Sequence, residues 1–278
     1  MVVKKFSRDL PATFGLIVVM SILTVAVFGW WLVSGPSDVY DSNLLARLSP
    51  PSAQNPFGTD DLGRDVYSRV IIGARSALLV GVGVVAASML IGVPIGLYAG
   101  YTRTIGSEVV MRITDIFLAV PQLVLALAIA QILSRGLESA MLALALTYWP
   151  AFARTVYGEV RHQKTSLYVE ALEGLGASPF RIAVLHLLPN VAPAIIIRAT
   201  IGVGFAILTA ATLGFLGIGA TPPSPDWGLA IAESRQFLPE SWWLALFPGL
   251  AIFITVLGFN LLGDGLRDIL DPKLRRSR

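Results

Sequence analysis

The chain has 278 residues, of which 55% are hydrophobic and only 14% are charged, with a formal net charge of +3. A soluble domain usually has about 25% charged residues, so this composition excludes an ordinary water-exposed globular protein and favours a membrane protein. The absence of cysteine excludes disulfides, thiolate chemistry and cysteine-based zinc sites. The basic excess requires no nucleic-acid partner, because membrane proteins collect Lys and Arg in their cytoplasmic loops.

Long apolar segments along the chain predict an all-α integral membrane protein with six transmembrane helices. A hydrocarbon layer of about 30 Å requires about 20 predominantly apolar residues in each spanning helix. The predicted spans are residues 14–33, 77–98, 113–133, 140–157, 192–216 and 242–262.

The basic residues predict how these spans are oriented. Lys4, Lys5 and Arg8 precede the first span, as they would in a signal peptide. The apolar core that follows is longer than the roughly 7–15 residues of a cleaved signal, so we expect a retained anchor. The remaining Lys and Arg are concentrated in alternate loops and in the tail. The positive-inside rule therefore predicts a multi-pass membrane protein with both termini in the cytoplasm.

The loop between the first two spans, residues 34–76, is predicted to form an amphipathic helix at the outer membrane face. Asp60 or Asp61 is a suitable N-cap for this helix. Its role stays open between a solvated cap and a surface that receives substrate. We expect the chain to divide into an anchor helix with this outer loop, residues 1–75, and a core with five spans, residues 76–278.

Residues 165–189 predict a helical hairpin on the cytoplasmic side. Gly174 and Gly176 are expected to end a first helix, because glycine adopts the left-handed conformation that ends helices. Ser178 is expected to cap a second helix, with Pro179 at its first position, where the missing N–H is harmless.

Two further prolines, Pro189 and Pro193, are expected to end the second helix of this hairpin before the fifth span. The result is a helix, a glycine turn and a helix joined to two membrane spans. A segment of this shape is suited to pass a displacement from a soluble partner into the membrane, whereas a flexible loop would absorb it.

The hairpin resembles the "EAA" loop of binding-protein-dependent importer permeases. The matching residues are Glu170, Ala171, Gly176, Leu188 and Pro189. Leu172 replaces the second alanine of the motif, and His186 stands where isoleucine is usual. Neither departure removes the turn.

Further motifs resemble the C-type permease subunit of dipeptide and oligopeptide importers, a class that also includes nickel and opine transporters. They occur at residues 55–60, 63–69, 211–217, 225–228 and 263–272. The resemblance therefore extends over nearly the whole chain. It implies the fold of a type I ABC importer permease and a location in the bacterial inner membrane.

The resemblance also implies an assembly. A homologous B-type permease, two ABC ATPase subunits and a periplasmic or lipid-anchored solute-binding protein are the implied partners, together with membrane lipid. The implied ATPase-coupling residues are Tyr168, Glu170, Ala171, Glu173, Gly176, Ala177, Ser178, Pro179, Arg181, Leu188 and Pro189. The sequence itself has no G-x-x-x-x-G-K-[ST] phosphate loop, so we expect no catalysis and no cofactor in this chain, with ATP and Mg²⁺ on the ATPase subunits.

Four residues outside the hairpin are candidates for contact with substrate or partner. Arg198 lies within the fifth span, where a charge usually faces a bundle interior or an aqueous path, although snorkelling to the membrane edge is an alternative. Asp226, Trp227 and Glu233 follow that span and are candidate contacts for a binding protein. Ordinary solvated loop acids explain Asp226 and Glu233 equally well.

Three functional classes remain to be compared. An importer permease fits best. An ion-coupled secondary transporter usually has acidic or histidine residues at mid-membrane depth, and these spans contain almost none. A membrane enzyme would need a histidine cluster, paired carboxylates or metal-ligand spacing, and the sequence offers no such set. The solute stays open among dipeptides, oligopeptides, glutathione, nickel chelates and opine-like compounds.

Overall fold

The computed structural model describes residues 9–270, and helices form nearly all of this part of the chain. The helices in chain order are α1 (Leu10–Phe28), α2 (Pro36–Tyr40), α3 (Val66–Tyr101), α4 (Ile105–Ala119), α5 (Gln122–Ile132), α6 (Leu137–Lys164), α7 (Leu167–Gly174), α8 (Pro179–Phe215), α9 (Trp227–Ser234) and α10 (Trp243–Leu270).

Four helices of the described chain are both long and apolar enough to cross a membrane: α1 with the turn after it, α3, α8 and α10. Helices α4 and α5 would add a fifth crossing if they form one span, but they meet at an angle of 94°. Pro121 precedes α5 and explains the break, because its ring prevents the residue before it from continuing a helix. The predicted count of six spans is therefore not reached by these properties.

The predicted fourth span corresponds to α6, which is long enough to cross but is not among the apolar helices. It occupies the centre of the bundle, packed against α3, α5 and α8. Leu144, Phe152 and Val156 on α6 are fully buried. Because neighbouring helices cover it, α6 does not need an apolar surface toward lipid, and its composition is correspondingly more polar.

A stripe of glycines brings α3 against α6. Gly92, Gly96 and Gly100 recur at every fourth residue and face α6. A Cβ atom at Gly92 would lie 2.4 Å from the Trp149 carbonyl oxygen, and one at Gly96 would lie 2.5 Å from the Ala153 carbonyl oxygen. The two backbones are therefore in direct contact, which only glycine permits.

The helix predicted to lie along the outer membrane face is not formed there. The N-cap is Asp65, not Asp60 or Asp61, and α3 continues from Val66 without a break. Asp60 instead closes a turn by accepting hydrogen bonds from the backbone N–H and the side chain of Arg64. The carboxylate that would cap a helix is thus used within the loop.

Side chains hold together the loops at the end of the bundle from which α3 starts. We call it the opposite end, because it lies away from the predicted hairpin of residues 165–189. Arg69 of α3 donates to the carbonyl oxygens of Val39 at 2.9 Å and Ser224 at 3.1 Å. Trp243 donates from its indole nitrogen to the Thr59 carbonyl oxygen at 3.2 Å. The loop before α3 and the loop before α9 are therefore held together as one cap.

The course of α8 differs from the prediction that prolines end a helix before the fifth span. Pro189 and Pro193 do not end a helix, because α8 continues from Pro179 to Phe215. The six residues Ile182–Leu187 form a widened π-helical turn, and Leu188 separates this turn from Pro189. A regular turn would clash with the proline ring and leave a carbonyl without its N–H partner, and the wider turn relieves that conflict.

Candidate functional site: the hairpin between α6 and α8

The hairpin comprises residues 165–187, that is α7, a glycine turn and the first turns of α8. The turn is a Schellman motif. Gly176 has φ +77°, and its N–H bonds to the Glu173 carbonyl oxygen at 3.0 Å, while the Ala177 N–H bonds to the Leu172 carbonyl oxygen at 3.0 Å. This left-handed conformation is open to glycine and strained for a branched residue. The turn lies where the sequence predicts it.

The second arm begins as its sequence predicts. The Ser178 hydroxyl accepts a hydrogen bond from the Arg181 N–H at 3.3 Å, and Pro179 occupies the first helical position. Ile182 and Leu187 then turn inward and are fully buried, packed in one cluster with Val169 of α7. Burial of these apolar side chains fixes the two arms of the hairpin to each other.

A closed set of hydrogen bonds joins the hairpin to both neighbouring helices. The Tyr168 hydroxyl donates to the side-chain oxygen of Gln163 at 3.1 Å and accepts from the Asn190 amide at 3.2 Å. The Gln163 amide donates in turn to the Asn190 carbonyl oxygen at 3.2 Å. Because Gln163 belongs to α6, Tyr168 to α7 and Asn190 to α8, these bonds connect three helices.

A second contact ties the hairpin to α3. The Tyr101 hydroxyl donates to a Glu173 carboxylate oxygen at 3.0 Å. The Lys164 ammonium donates to the Tyr101 carbonyl oxygen at 2.6 Å and lies 4.4 Å from the centre of its ring. No motif in the sequence signals Tyr101, Gln163, Lys164 or Asn190, because their partners are distant in the chain or on another helix.

The outward surface of the hairpin is apolar. Four large side chains are mostly exposed: Leu167 at 83%, Leu175 at 84%, Phe180 at 78% and Leu185 at 61%. Glu170, Ala171 and Arg181 lie exposed on the same hairpin. An apolar patch with charged residues beside it is typical of a surface that a partner protein covers.

The last two predicted hairpin residues lie just beyond the widened turn. Leu188 is half-buried against the cluster of Ile182 and Leu187, and Pro189 is exposed. They continue α8 from the hairpin into the bundle without an intervening loop.

Arg198 occupies an unusual position on α8. Its guanidinium lies 5.6 Å from the centre of the Tyr148 ring on α6, and that ring stacks on Phe205 at 5.8 Å. The Arg198 Nε atom is buried and has no hydrogen-bond partner in the described chain. A cation held over one aromatic face, with a donor that no protein group between residues 9 and 270 uses, is suited to receive an anionic group.

Asp226 and Trp227 hold α9 against α3. The Asp226 carboxylate caps α9 by accepting from the Leu229 N–H at 3.0 Å, and it accepts from the Ser76 hydroxyl at 3.2 Å. The Trp227 side chain is only 4% exposed and donates to the Val70 carbonyl oxygen at 2.9 Å. Both residues therefore stabilise the packing of α9 on α3 at the opposite end.

Glu233 lies at the edge of the same region and is 31% exposed. Burial raises the pKa of its carboxyl group above the ordinary value, although Arg69 and Arg64 favour the charged form. The Arg64 guanidinium lies 3.9 Å from the Glu233 carboxylate. Of the three candidate contacts for a binding protein, Glu233 is thus the one with a partly solvent-facing side chain that caps no helix.

Metal ligation offers no alternative use of the described residues. Between residues 9 and 270, no group of three His, Cys, Asp or Glu side chains is placed to hold a metal ion.

Comparisons with known proteins agree with this geometry. Residues 92–276 match the family described as binding-protein-dependent transport system inner membrane component. The dipeptide transport system permease protein DppC of Alkalihalophilus pseudofirmus is 43% identical, over 98% of this chain and 89% of that protein. The probable D,D-dipeptide transport system permease protein DdpC of Escherichia coli K12 is 42% identical, over 92% and 86%.

A third relative and a solved structure extend the comparison. The glutathione transport system permease protein GsiD of Pectobacterium atrosepticum is 39% identical, over 98% of this chain and 90% of that protein. A chain in an inward-facing structure of the MetNI methionine ABC transporter superposes with a TM-score of 0.61 at 22% identity, covering 72% of this chain and 96% of that one. The chain belongs to the family of inner-membrane permease components of binding-protein-dependent ABC transport systems.

Proposed function

We propose that this chain forms half of the translocation path of an ATP-driven importer for short peptides. It pairs with a homologous B-type permease, two ABC ATPases dock on it, and a periplasmic or lipid-anchored binding protein delivers the solute. The observation that carries the proposal is the hairpin, which presents an apolar surface outward and is tied to α3, α6 and α8.

The continuity of α8 supports the mechanism. A displacement of the hairpin moves Pro179, and the same helix reaches Arg198 nineteen residues later, roughly 28 Å along its axis. Because no loop intervenes, movement at the hairpin is delivered to the bundle interior. The ATPase subunits hold ATP and Mg²⁺ and supply the motion, since this sequence has no phosphate loop.

The same proposal assigns the orientation. The hairpin end is cytoplasmic, because the ATPases that it meets are cytoplasmic. Helix α3 ends beside the hairpin at Tyr101, whereas α8 leads away from it toward α9. Both termini are cytoplasmic in this arrangement, and α9 with its neighbouring loops faces the binding protein.

Two sites follow from that orientation. We assign Arg198 to the translocation path, where its free donor meets an anionic group of the solute. We assign the surface around Asp226, Trp227 and Glu233 to the binding protein. Trp227 acts there by fixing α9, because its own side chain is buried, and Glu233 supplies a partly exposed charge.

Short peptides are the solute class that relatives at about 40% identity have in common. Their names specify dipeptides, D,D-dipeptides and glutathione, all of which have amide bonds and a free carboxylate. An assembly of the same architecture that imports nickel chelates or opine-like solutes is the alternative that uptake measurements must separate.

The test is purification of the tagged chain in mild detergent, with mass spectrometry of the proteins that accompany it. We expect a second permease and ATPase subunits, and peptide uptake after reconstitution with the neighbouring binding protein. Purification as a stable homo-oligomer with no ATPase would overturn the proposal and favour an ion-coupled carrier. Uptake of nickel chelates but not of dipeptides by the intact assembly would overturn the peptide assignment alone.

A further inference from the structure

A cavity of about 560 Å³ opens at the hairpin end, apart from the hairpin itself. Helices α4 and α6 form its walls, and the end of α3 with the two residues after it closes the third side. Its charged lining consists of Arg103, Glu108, Arg112, Asp115, Arg154 and Arg161. Four positive and two negative side chains leave the lining with a net charge of +2.

The positive charges are only partly used within the chain. Arg154 pairs with Asp115, with a nitrogen–oxygen distance of 3.3 Å. Within residues 9–270, no carboxylate lies within 4.0 Å of the guanidinium groups of Arg103, Arg112 or Arg161. These three arginines therefore face the cavity with donors available.

The paired arginine, Arg154, lies deeper in the bundle than Arg103 and Arg161. Arg154 precedes the hairpin end of α6 at Lys164 by ten residues, roughly 15 Å of helix, whereas Arg161 precedes it by three. Arg103 lies outside the helices, between α3 and α4. The deeper charge is neutralised by Asp115, and the charges nearer the helix ends lie at the level expected for lipid headgroups.

The lining is also preorganised. Tyr157 lies on the same face of α6 as Arg154 and Arg161, with their guanidinium carbons 5.7 and 5.9 Å from its ring centre. Stacking on one ring limits the freedom of both side chains, so less conformational entropy is lost when an anion binds.

We propose that this cavity binds a phosphate-bearing anion, supplied either by the headgroup of an anionic phospholipid or by a soluble phosphate. Guanidinium groups match the oxygen geometry of phosphate, and the volume admits a group of headgroup size. The positive-inside rule explains arginines on this side of the membrane, but it does not explain why four of them line one cavity. A bound anion would bridge α4 to α6 and so fix the bent α4–α5 pair.

This inference goes beyond transport and uses the proposed function only to place the cavity on the cytoplasmic side. The test uses the purified assembly in nanodiscs of phosphatidylcholine, with or without phosphatidylglycerol, and measures retained phosphatidylglycerol by mass spectrometry. The variant is Arg112→Gln with Arg161→Gln, and the matched control is Arg135→Gln, an exposed arginine between α5 and α6. We expect the double variant to retain about tenfold less phosphatidylglycerol than the control.

A second arm separates the two sources of phosphate. Inorganic phosphate is added to assemblies in phosphatidylcholine alone, and the thermal unfolding midpoint is followed. A shift that the double variant loses supports a soluble phosphate, and lipid retention without such a shift supports a headgroup. The pair Arg112→Lys with Arg161→Lys keeps the charges and should retain binding in whichever arm is positive. If the double glutamine variant equals Arg135→Gln in both arms, the proposal is overturned, whatever the outcome for transport.

Discussion

At the scale of single residues, Arg198 is the charge within a long apolar helix that the structure leaves without a hydrogen-bond partner at Nε. The Tyr148 ring holds its guanidinium in place, and no ion pair with an acidic residue forms within the described chain. A carboxylate entering the bundle would therefore find a preoriented donor whose desolvation has already been compensated in part by the aromatic face.

We predict that Arg198→Gln lowers uptake of dipeptides with a free carboxylate by about tenfold, because one charge-assisted hydrogen bond is lost. Uptake of C-terminally amidated dipeptides should change much less, and competition between the two substrates measures the difference. Arg235→Gln is the matched control, since Arg235 also lies over an aromatic ring, that of Phe215, but at the opposite end. Equal losses for both substrates would remove Arg198 from carboxylate recognition.

Glu233 makes the folding stability of the protein depend on pH, and the sign of this dependence follows from its raised pKa. The folded state holds the proton at higher pH than the unfolded state does. The contribution of this group to stability is therefore fully present below the unfolded pKa, near 4.5, and is lost as the pH rises through the folded pKa.

We predict that Glu233→Gln removes this dependence and leaves the protein at neutral pH as stable as the wild type or slightly more so. The change should be below about 1 kcal/mol, because the side chain is partly solvated. The test is to measure the thermal unfolding midpoints of both proteins in one buffer from about pH 4 to about pH 8. Glu240→Gln, at an exposed glutamate, is the control. A wild-type midpoint that rises relative to Glu233→Gln with increasing pH would contradict the assignment.

At the scale of elements, the hairpin depends on one backbone conformation. Gly174 and Gly176 are two residues apart, and a Cβ atom added at either position meets nothing within 4 Å. They differ in conformation, because Gly174 is helical and Gly176 has φ +77°. The same substitution at the two positions therefore isolates the effect of backbone strain, because neither position has a steric conflict.

We predict that Gly176→Val abolishes peptide uptake while membrane insertion and expression stay normal. A branched residue in the left-handed region costs about 1–3 kcal/mol and would displace the second arm from the ATPase surface. Gly174→Val should keep most of the activity. Normal uptake by Gly176→Val at normal expression would overturn the role of the hairpin as the docking element.

The contact of α3 with α6 is a second element that depends on glycine. At Gly96 an added Cβ would lie 2.5 Å from the Ala153 carbonyl oxygen, whereas at Gly158 on α6 it would meet nothing within 4 Å. The two positions therefore test the same substitution where the added methyl group meets a backbone atom and where it meets none.

We predict that Gly96→Ala destabilises the bundle by about 1–3 kcal/mol, because a backbone must move to admit the methyl group. Gly158→Ala should be neutral or stabilising by up to about 1 kcal/mol. Thermal unfolding of the detergent-solubilised protein measures both variants, and equal midpoints for the two would show that the α3–α6 contact can open at little cost.

At the scale of the whole molecule, the resemblance in the sequence predicted the family and the type I permease fold, and both are confirmed. The spans at α1, α3, α8 and α10 follow from apolar length, and the hairpin turn follows from Gly176 and Ser178. The expected division of the chain after residue 75 falls within α3 and stays a prediction.

Two other features were mispredicted although the contacts responsible lie close in the chain, because more than one local arrangement was open to these residues. Asp60 has the sequence context of a helix cap, yet Arg64 and the loop use its carboxylate, so α3 begins only after Asp65. Pro189 has the context of a helix stop, yet a widened turn accommodates it and α8 continues. In both cases an arrangement within a few residues outweighs the usual preference of the single residue for a cap or a helix stop.

The sequence by itself determined that this protein lies in a membrane, that it has a glycine-turned hairpin and that its family is the importer permeases, because apolar length, glycine conformation and motif order are local properties of a chain. Only the tertiary structure decided that α6 is the polar centre of the bundle, that α3 and α6 meet backbone to backbone, and that four arginines share one cavity. These features depend on which helix faces meet, and that is set by packing between residues far apart in the chain.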